Sequence, residues 1–326
     1  MNMNFFPVNY STLSTKHLLQ LVTSQYPNMV NADITFLKRG FNDTYLITSN
    51  TNKFVLRVYK HDWRSLNSIK CEIELLQLLK EQGAEVSSPI QDSKGELIQV
   101  INAPEGERYA VLFSYANGNR LRKLTEIESI GFGKAVGKMH SITEGLDLKH
   151  CANDYSVQHQ FESILESVAP FLTDYPLQWN QMRGLADSVI EEVSIAQLPQ
   201  GICHGDIQAE NVHLDDNNKI TFFDFDFFGR GALVYDIAVF VWYDHKNKPF
   251  NTVQSFINGY RESRALVSEE IQAIPQFGVM RAFFQMALYC KQHNGKYLPI
   301  WPAEQVAAFV DKVDRWYEGE KLKKYQ

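Results

Sequence analysis

The chain has 326 residues, 44% of them apolar and 21% charged, a balance that suits one large or two ordinary soluble domains with a sizeable core. Its formal net charge of -6 arises after residue 118: residues 1–118 carry 11 acidic and 11 basic side chains, the remainder 27 and 21. The balance argues against a nucleic-acid partner, which needs clustered basic residues, and reads first as an acidic solvated surface and second as a preference for a cationic or amine-bearing ligand.

Nothing approaches eighteen uninterrupted apolar residues, and "MNMNFFPVNYSTLS" has no basic stretch followed by an apolar one. A cytoplasmic chain with no membrane partner is therefore expected. Cys71, Cys151, Cys203 and Cys290 are far apart with no CxxC, which predicts reduced, mostly buried thiols rather than zinc ligands or disulfides.

In chain order, "TKHLLQLVTSQY" has helical spacing after Ser14, an N-cap candidate, and stops at Pro27. The period then changes to alternation in "ITFLKRGFNDTYLITSNTNKFVLRVYK", which predicts three strands joined at Gly40 and "SNTNK". "SLNSIKCEIELLQLLKEQG" returns to helical spacing with Gly83 as its stop, and "GELIQVI" and "RYAVLFSY" predict two more strands. After "ANGNRL" the pattern turns helical: "SIGFGKAVGKMHSI", "FESILESVAPFL", "LADSVIEEVSIAQL", "VQSFINGYRESRAL", "RAFFQMALYCKQH" and "AEQVAAFVDKVDRWYEGEK". The expectation is an α+β fold with a small first lobe at 1–112, a hinge at 113–118 and a mainly helical lobe at 119–326.

Within the second lobe, "CHGDIQAENVHLDDNNKITFFDFD" places several carboxylates beside two apolar runs. Unpaired buried charge is costly, so a metal ion or a reacting group should neutralise them. "DDNN" predicts a hairpin turn, and pairing Leu214 with Lys219 sets Asn211 diagonal to Asp224. Two such oxygen ligands suit Mg²⁺, with phosphate and water completing its shell. Asp206, five residues before Asn211, is placed to accept the proton of an attacking hydroxyl.

"HGDIQAEN" followed by "FFDFD" resembles the aminoglycoside phosphotransferase and choline kinase superfamily, and within it the stress response kinase A and type II homoserine kinase branches. The resemblance runs from about Ile34 to the last helix and implies a bilobal protein-kinase-like fold, with an antiparallel sheet and one helix in the small lobe. It implies ATP and Mg²⁺ held between the lobes, Asp206 as base or hydroxyl-orienting residue, Asn211 and Asp224 as metal ligands and Asp226 as an auxiliary one. It assigns nucleotide contacts to Gly40 and Asn42 in the first turn, Arg57 where kinases carry lysine, Glu72 as the partner of Arg57, and the main chain of Ser114 and Ala116. His204 and Asp236, the latter in "YDIA", are expected to support the loops, Asp236 by capping a helix and holding the loop after Asp224.

Only twelve positions separate Asp224 from Asp236, and no "APE" follows. The expected reaction is transfer of the γ-phosphoryl group of ATP to a hydroxyl of a small molecule, with Gln208, Glu210, Tyr243, Asp244 and Arg281 as acceptor contacts. Two alternatives are a Ser/Thr protein kinase of the stress response kinase A type and a nucleotide-binding pseudokinase module.

Overall fold

The computed structural model describes residues 6–50, 52–121, 123–148, 153–244, 250–291, 300–323 and 325. Cys151, the side chain of Asp244 and the end of the helix expected at 281–293 lie outside the described residues. The chain divides into two compact units, the first built from residues 1–80 and 86–116, the second from 81–85, 117–292 and 299–326.

In the first unit, α1 (Thr15–Gln25) stops ahead of Pro27. Ser14 precedes it, but its hydroxyl accepts no helix N–H and instead meets His17 Nδ1 at 3.0 Å. Strands β1 (Asp33–Arg39), β2 (Asn42–Ser49) and β3 (Asn52–Tyr59) follow, then α2 (Leu66–Glu81), β4 (Gln99–Ala103) and β5 (Gly106–Ser114). All pairings in this sheet are antiparallel and its order is β1-β2-β3-β5-β4. Alternation buries Tyr45 and Ile47 of β2 with Leu56, Val58 and Leu112 against Leu18 and Val22 of α1. Side chains on one face of α2 are buried too, and Glu72 lies among them.

The second unit starts with β6 (Asn119–Arg120) and α3 (Glu126–Thr143), whose Thr125 and Glu128 form a reciprocal capping box. Next come β7 (Asn153–Asp154), α4 (Val157–Val168), α5 (Pro176–Ser194), β8 (Gln200–Cys203), β9 (Val212–Leu214), β10 (Ile220–Phe222) and β11 (Gly229–Ala232). Helices α6 (Val234–Asp244), α7 (Phe250–Arg261), α8 (Ser268–Cys290) and α9 (Ala303–Lys321) complete it. Its strands form two small sheets, ordered β10-β9-β6 and β7-β11-β8.

Two expectations are corrected. The hairpin register is Leu214 opposite Ile220 and Val212 opposite Phe222, one residue from the predicted pairing. Asn218 is the cause: it stands at φ +59° and adds a residue to the turn, while the Asp215 carboxylate accepts the N–H groups of Asn217 and Lys219. Helix α8 starts thirteen positions before Arg281, which therefore lies in mid-helix. Its interior proline, Pro275, gives up one backbone bond and crowds the carbonyl of Ile271, a cost of about 3 kcal/mol offset by burial of Ala273, Ile274, Phe277 and Met280 around it.

Candidate active site

Strand order explains why the acidic loops meet. β8 pairs antiparallel with β11, Cys203 opposite Gly229, so the loop leaving β8 and the turn entering β11 share one end of that sheet. From the other direction, the β9–β10 hairpin draws Phe223 to Asn211, whose carbonyl accepts the Phe223 N–H at 3.1 Å. Residues 204–211 and 223–227 are thereby held side by side. Gly205 sits at the tightest point, at φ +80°, where an added Cβ would lie 1.9 Å from the Phe227 carbonyl oxygen.

His204 braces these loops. Its Nδ1 accepts the Asp206 N–H at 3.2 Å, which leaves Nε2 protonated to donate to the Phe223 carbonyl at 3.2 Å. Asp236, fully buried in the first turn of α6, accepts the backbone N–H groups of His204 at 2.7 Å and Gly205 at 2.8 Å. His140 of α3 stands 3.0 Å from the same carboxylate and 2.8 Å from the Tyr260 hydroxyl. Asp236 thus holds the loop ahead of Asp206 rather than the one after Asp224, and it lies inside the helix rather than at its cap.

Asp206 is the hub. One carboxylate oxygen bonds Arg281 Nη2; the other accepts Gln208 Nε2 at 2.7 Å and Asn211 Nδ2 at 2.7 Å. Arg281 also donates to the Gly205 carbonyl at 3.1 Å and to the Tyr243 hydroxyl at 2.7 Å. Burial works against its charge, but Tyr243, Asp206 and Tyr235 outweigh it, so the guanidinium is held firmly protonated. Of the expected acceptor residues, Gln208, Tyr243 and Arg281 therefore gather around Asp206. Glu210 is exposed in the turn Ala209–Asn211.

Asp224 adopts the left-handed conformation, φ +69° and ψ +57°, which costs a non-glycine residue about 1 kcal/mol. Asp226 follows in the turn Phe225–Phe227 and is buried. Among the described residues no group of three or more His, Cys, Asp or Glu is gathered for a metal ion, Asp206, Asp224 and Asp226 included. A cation here would draw on few protein ligands. Asn211 fits that need, because its amide nitrogen is committed to Asp206 and its amide oxygen is the atom left to ligate. Asn211 and Asp224 are hard oxygen donors of the kind Mg²⁺ takes in ones and twos beside phosphate.

In the first unit, Arg57 Nη1 lies 2.9 Å from Glu72, tying β3 to α2. Two partners escaped the sequence reading: Arg64 bonds the second Glu72 oxygen, and the Tyr59 hydroxyl donates to it at 3.1 Å. Gly40 and Asn42 form the β1–β2 turn, closed by a Gly40 N–H to Asn42 carbonyl bond of 3.0 Å. The Ser114 carbonyl accepts the Ser87 hydroxyl, which leaves a carbonyl lone pair for another donor, and Ala116 is buried.

Sequence reasoning also missed the Arg281–Asp206 pair and His140. The partners stand 75 and 96 positions apart, so no local period could report them.

The fold is that of the protein kinases. The chain superposes on an amicoumacin kinase solved with AMP-PNP and Ca²⁺, at a TM-score of 0.75, 19% identity and 94% coverage of both chains. A microcompartment-associated aminopropanol kinase matches at a TM-score of 0.69 and 20% identity, over 94% of this chain and 99% of the other. An uncharacterized protein of Deinococcus radiodurans is 30% identical over 298 residues, 87% of this chain and 84% of its own length. A homoserine kinase of Rhizobium meliloti is 25% identical over 261 residues, 76% of each. The phosphotransferase enzyme family matches residues 33–269, and the chain belongs to it. By class it is a kinase.

Proposed function

We propose that this kinase transfers the γ-phosphoryl group of ATP, bound with Mg²⁺, to a hydroxyl of a small molecule bearing an amine. The observation that carries the reading is the Asp206 hub, where one carboxylate is fixed by Arg281, Gln208 and Asn211 while Asn211 keeps an oxygen for a cation.

In the proposed reaction the acceptor hydroxyl oxygen attacks the γ-phosphorus, the bond to the bridging oxygen breaks, and ADP leaves with that electron pair. Asp206 aligns the hydroxyl and receives its proton. Magnesium held by Asn211 and Asp224, with Asp226 as auxiliary, would supply charge neutralisation on the phosphates. Arg57, oriented by Glu72, contacts the phosphates, and the Gly40–Asn42 turn approaches them with its main chain. The Ser114 carbonyl and Ala116 N–H take the adenine edge. Gln208, Glu210, Tyr243, Asp244 and Arg281 are the proposed acceptor contacts.

The small-molecule reading draws on the short path after Asp224: β11 and α6 follow at once, ending in Val234–Asp244, with no extended segment to dock a peptide. The names of the relatives agree, among them homoserine, aminopropanol and ethanolamine kinases and a spectinomycin phosphotransferase. The test is Mg²⁺-dependent ADP release over homoserine, choline, ethanolamine, amino-propanol, aminocyclitol antibiotics and a generic protein substrate. A small-molecule hit is expected; signal only with protein would move the reading to a Ser/Thr kinase.

A further inference from the structure

The segment ahead of α1 makes an unusual set of polar contacts with the first sheet. The Tyr10 hydroxyl lies 2.7 and 2.6 Å from the two carboxylate oxygens of Asp43. Arg39 Nη2 donates to the Thr12 hydroxyl at 2.6 Å, and the Arg39 guanidinium stands 4.7 Å from the centre of the Tyr10 ring. Ser11 is held at both ends of its main chain: its N–H donates to Glu105 at 3.2 Å, and its carbonyl accepts Arg108 at 3.2 Å. Arg108, fully buried, closes the circuit with a 2.8 Å ion pair to Asp43.

These contacts converge on one place. Arg39 and Asp43 are register partners, the last rung of the β1–β2 ladder, and the Gly40–Asn42 turn hangs directly from them. The tip is tied as well, since Phe41 stacks on Trp63 at 4.3 Å. Asp43 has no solvent exposure, so its charge must be satisfied by protein donors, and Tyr10 is one of them. Burial pushes the Tyr10 phenol up, so it stays protonated and remains a donor throughout the working pH range.

We propose that Tyr10, with Ser11 and Thr12, is a positioning element for nucleotide binding: it clamps the Arg39–Asp43 rung and so fixes the turn that meets the phosphates of a nucleoside triphosphate. The inference rests on the proposed phosphate role of that turn. Tyr10 itself touches no phosphate; it acts through Asp43.

The test compares wild type with Tyr10→Phe and Thr12→Val by three readouts: Mg-ATP Kd by calorimetry, backbone hydrogen exchange of residues 39–43, and kcat at saturating ATP. Each variant is expected to exchange faster at 39–43. Its Kd should rise roughly tenfold, the equivalent of one hydrogen bond to a charged group. Its kcat should stay within about twofold of wild type, the signature of lost binding rather than lost chemistry. Unchanged exchange at 39–43, or faster exchange with an unchanged Kd, overturns the proposal. So does a loss confined to melting temperature. A wild-type protein that binds Mg-ATP yet turns over no acceptor would contradict the phosphotransfer reading alone, and the exchange and Kd arms would still decide the role of Tyr10.

Discussion

Three side chains crowd the carboxylate of Asp206, and each bond has a different consequence. Arg281 is nearly inaccessible and pairs with a carboxylate only slightly more exposed, so removing the cation leaves an uncompensated buried charge. Arg281→Met is predicted to lower stability by about 3–5 kcal/mol in denaturant titrations and to depress kcat in the remaining folded protein. Gly40 poses the opposite case. Its φ is not positive, and an added Cβ would meet only the end of the Lys38 side chain, at 3.6 Å. Gly40→Ala should therefore leave the melting temperature unchanged. If the turn approaches phosphate, Mg-ATP KM will rise; an unchanged KM would remove Gly40 from the nucleotide site.

At the scale of elements, the loop that carries Asp206 depends on a helix it does not belong to. The α6 carboxylate of Asp236 satisfies two consecutive backbone N–H groups just ahead of Asp206, with His140 of α3 behind it. In Asp236→Asn only one oxygen remains to accept, and an NH₂ group faces a former donor. A stability loss of about 1.5–3 kcal/mol is expected, together with a lower kcat and an unaltered Mg-ATP affinity. Equal losses in kcat and affinity would show the loop is not what Asp236 supports. The strands of the first unit were legible because period-two alternation is a local signal, as Tyr45 and Ile47 show. The hairpin register was not, since it turned on one left-handed residue, Asn218, in a run of four polar residues that reads simply as a turn. Helix α8 was read only from Arg281 onward; its first half, residues 268–280, is held by the burial of Ala273, Ile274 and Phe277, which is a tertiary signal.

For the molecule as a whole, the motif "HGDIQAEN…DFD" was enough to reach the family, because its spacing encodes chemistry that few folds need. What surrounds the motif was only partly visible. Arg281 was expected at the acceptor but not as the partner of Asp206, and His140 and Arg64 are ordinary residues in their own windows that acquire meaning only when the topology brings them to Asp236 and Glu72. Among the described residues no helix is long and apolar enough to cross a membrane. In the proposed reaction one carboxylate, that of Asp206, organises phosphoryl transfer. The most direct test is ADP release with a responsive acceptor, by wild type and Asp206→Ala, each with Mg²⁺ and with chelator. Wild type should turn over only with Mg²⁺, and Asp206→Ala should lose about 10²-fold or more while binding Mg-ATP almost normally. Turnover close to wild type in Asp206→Ala would contradict that role for Asp206.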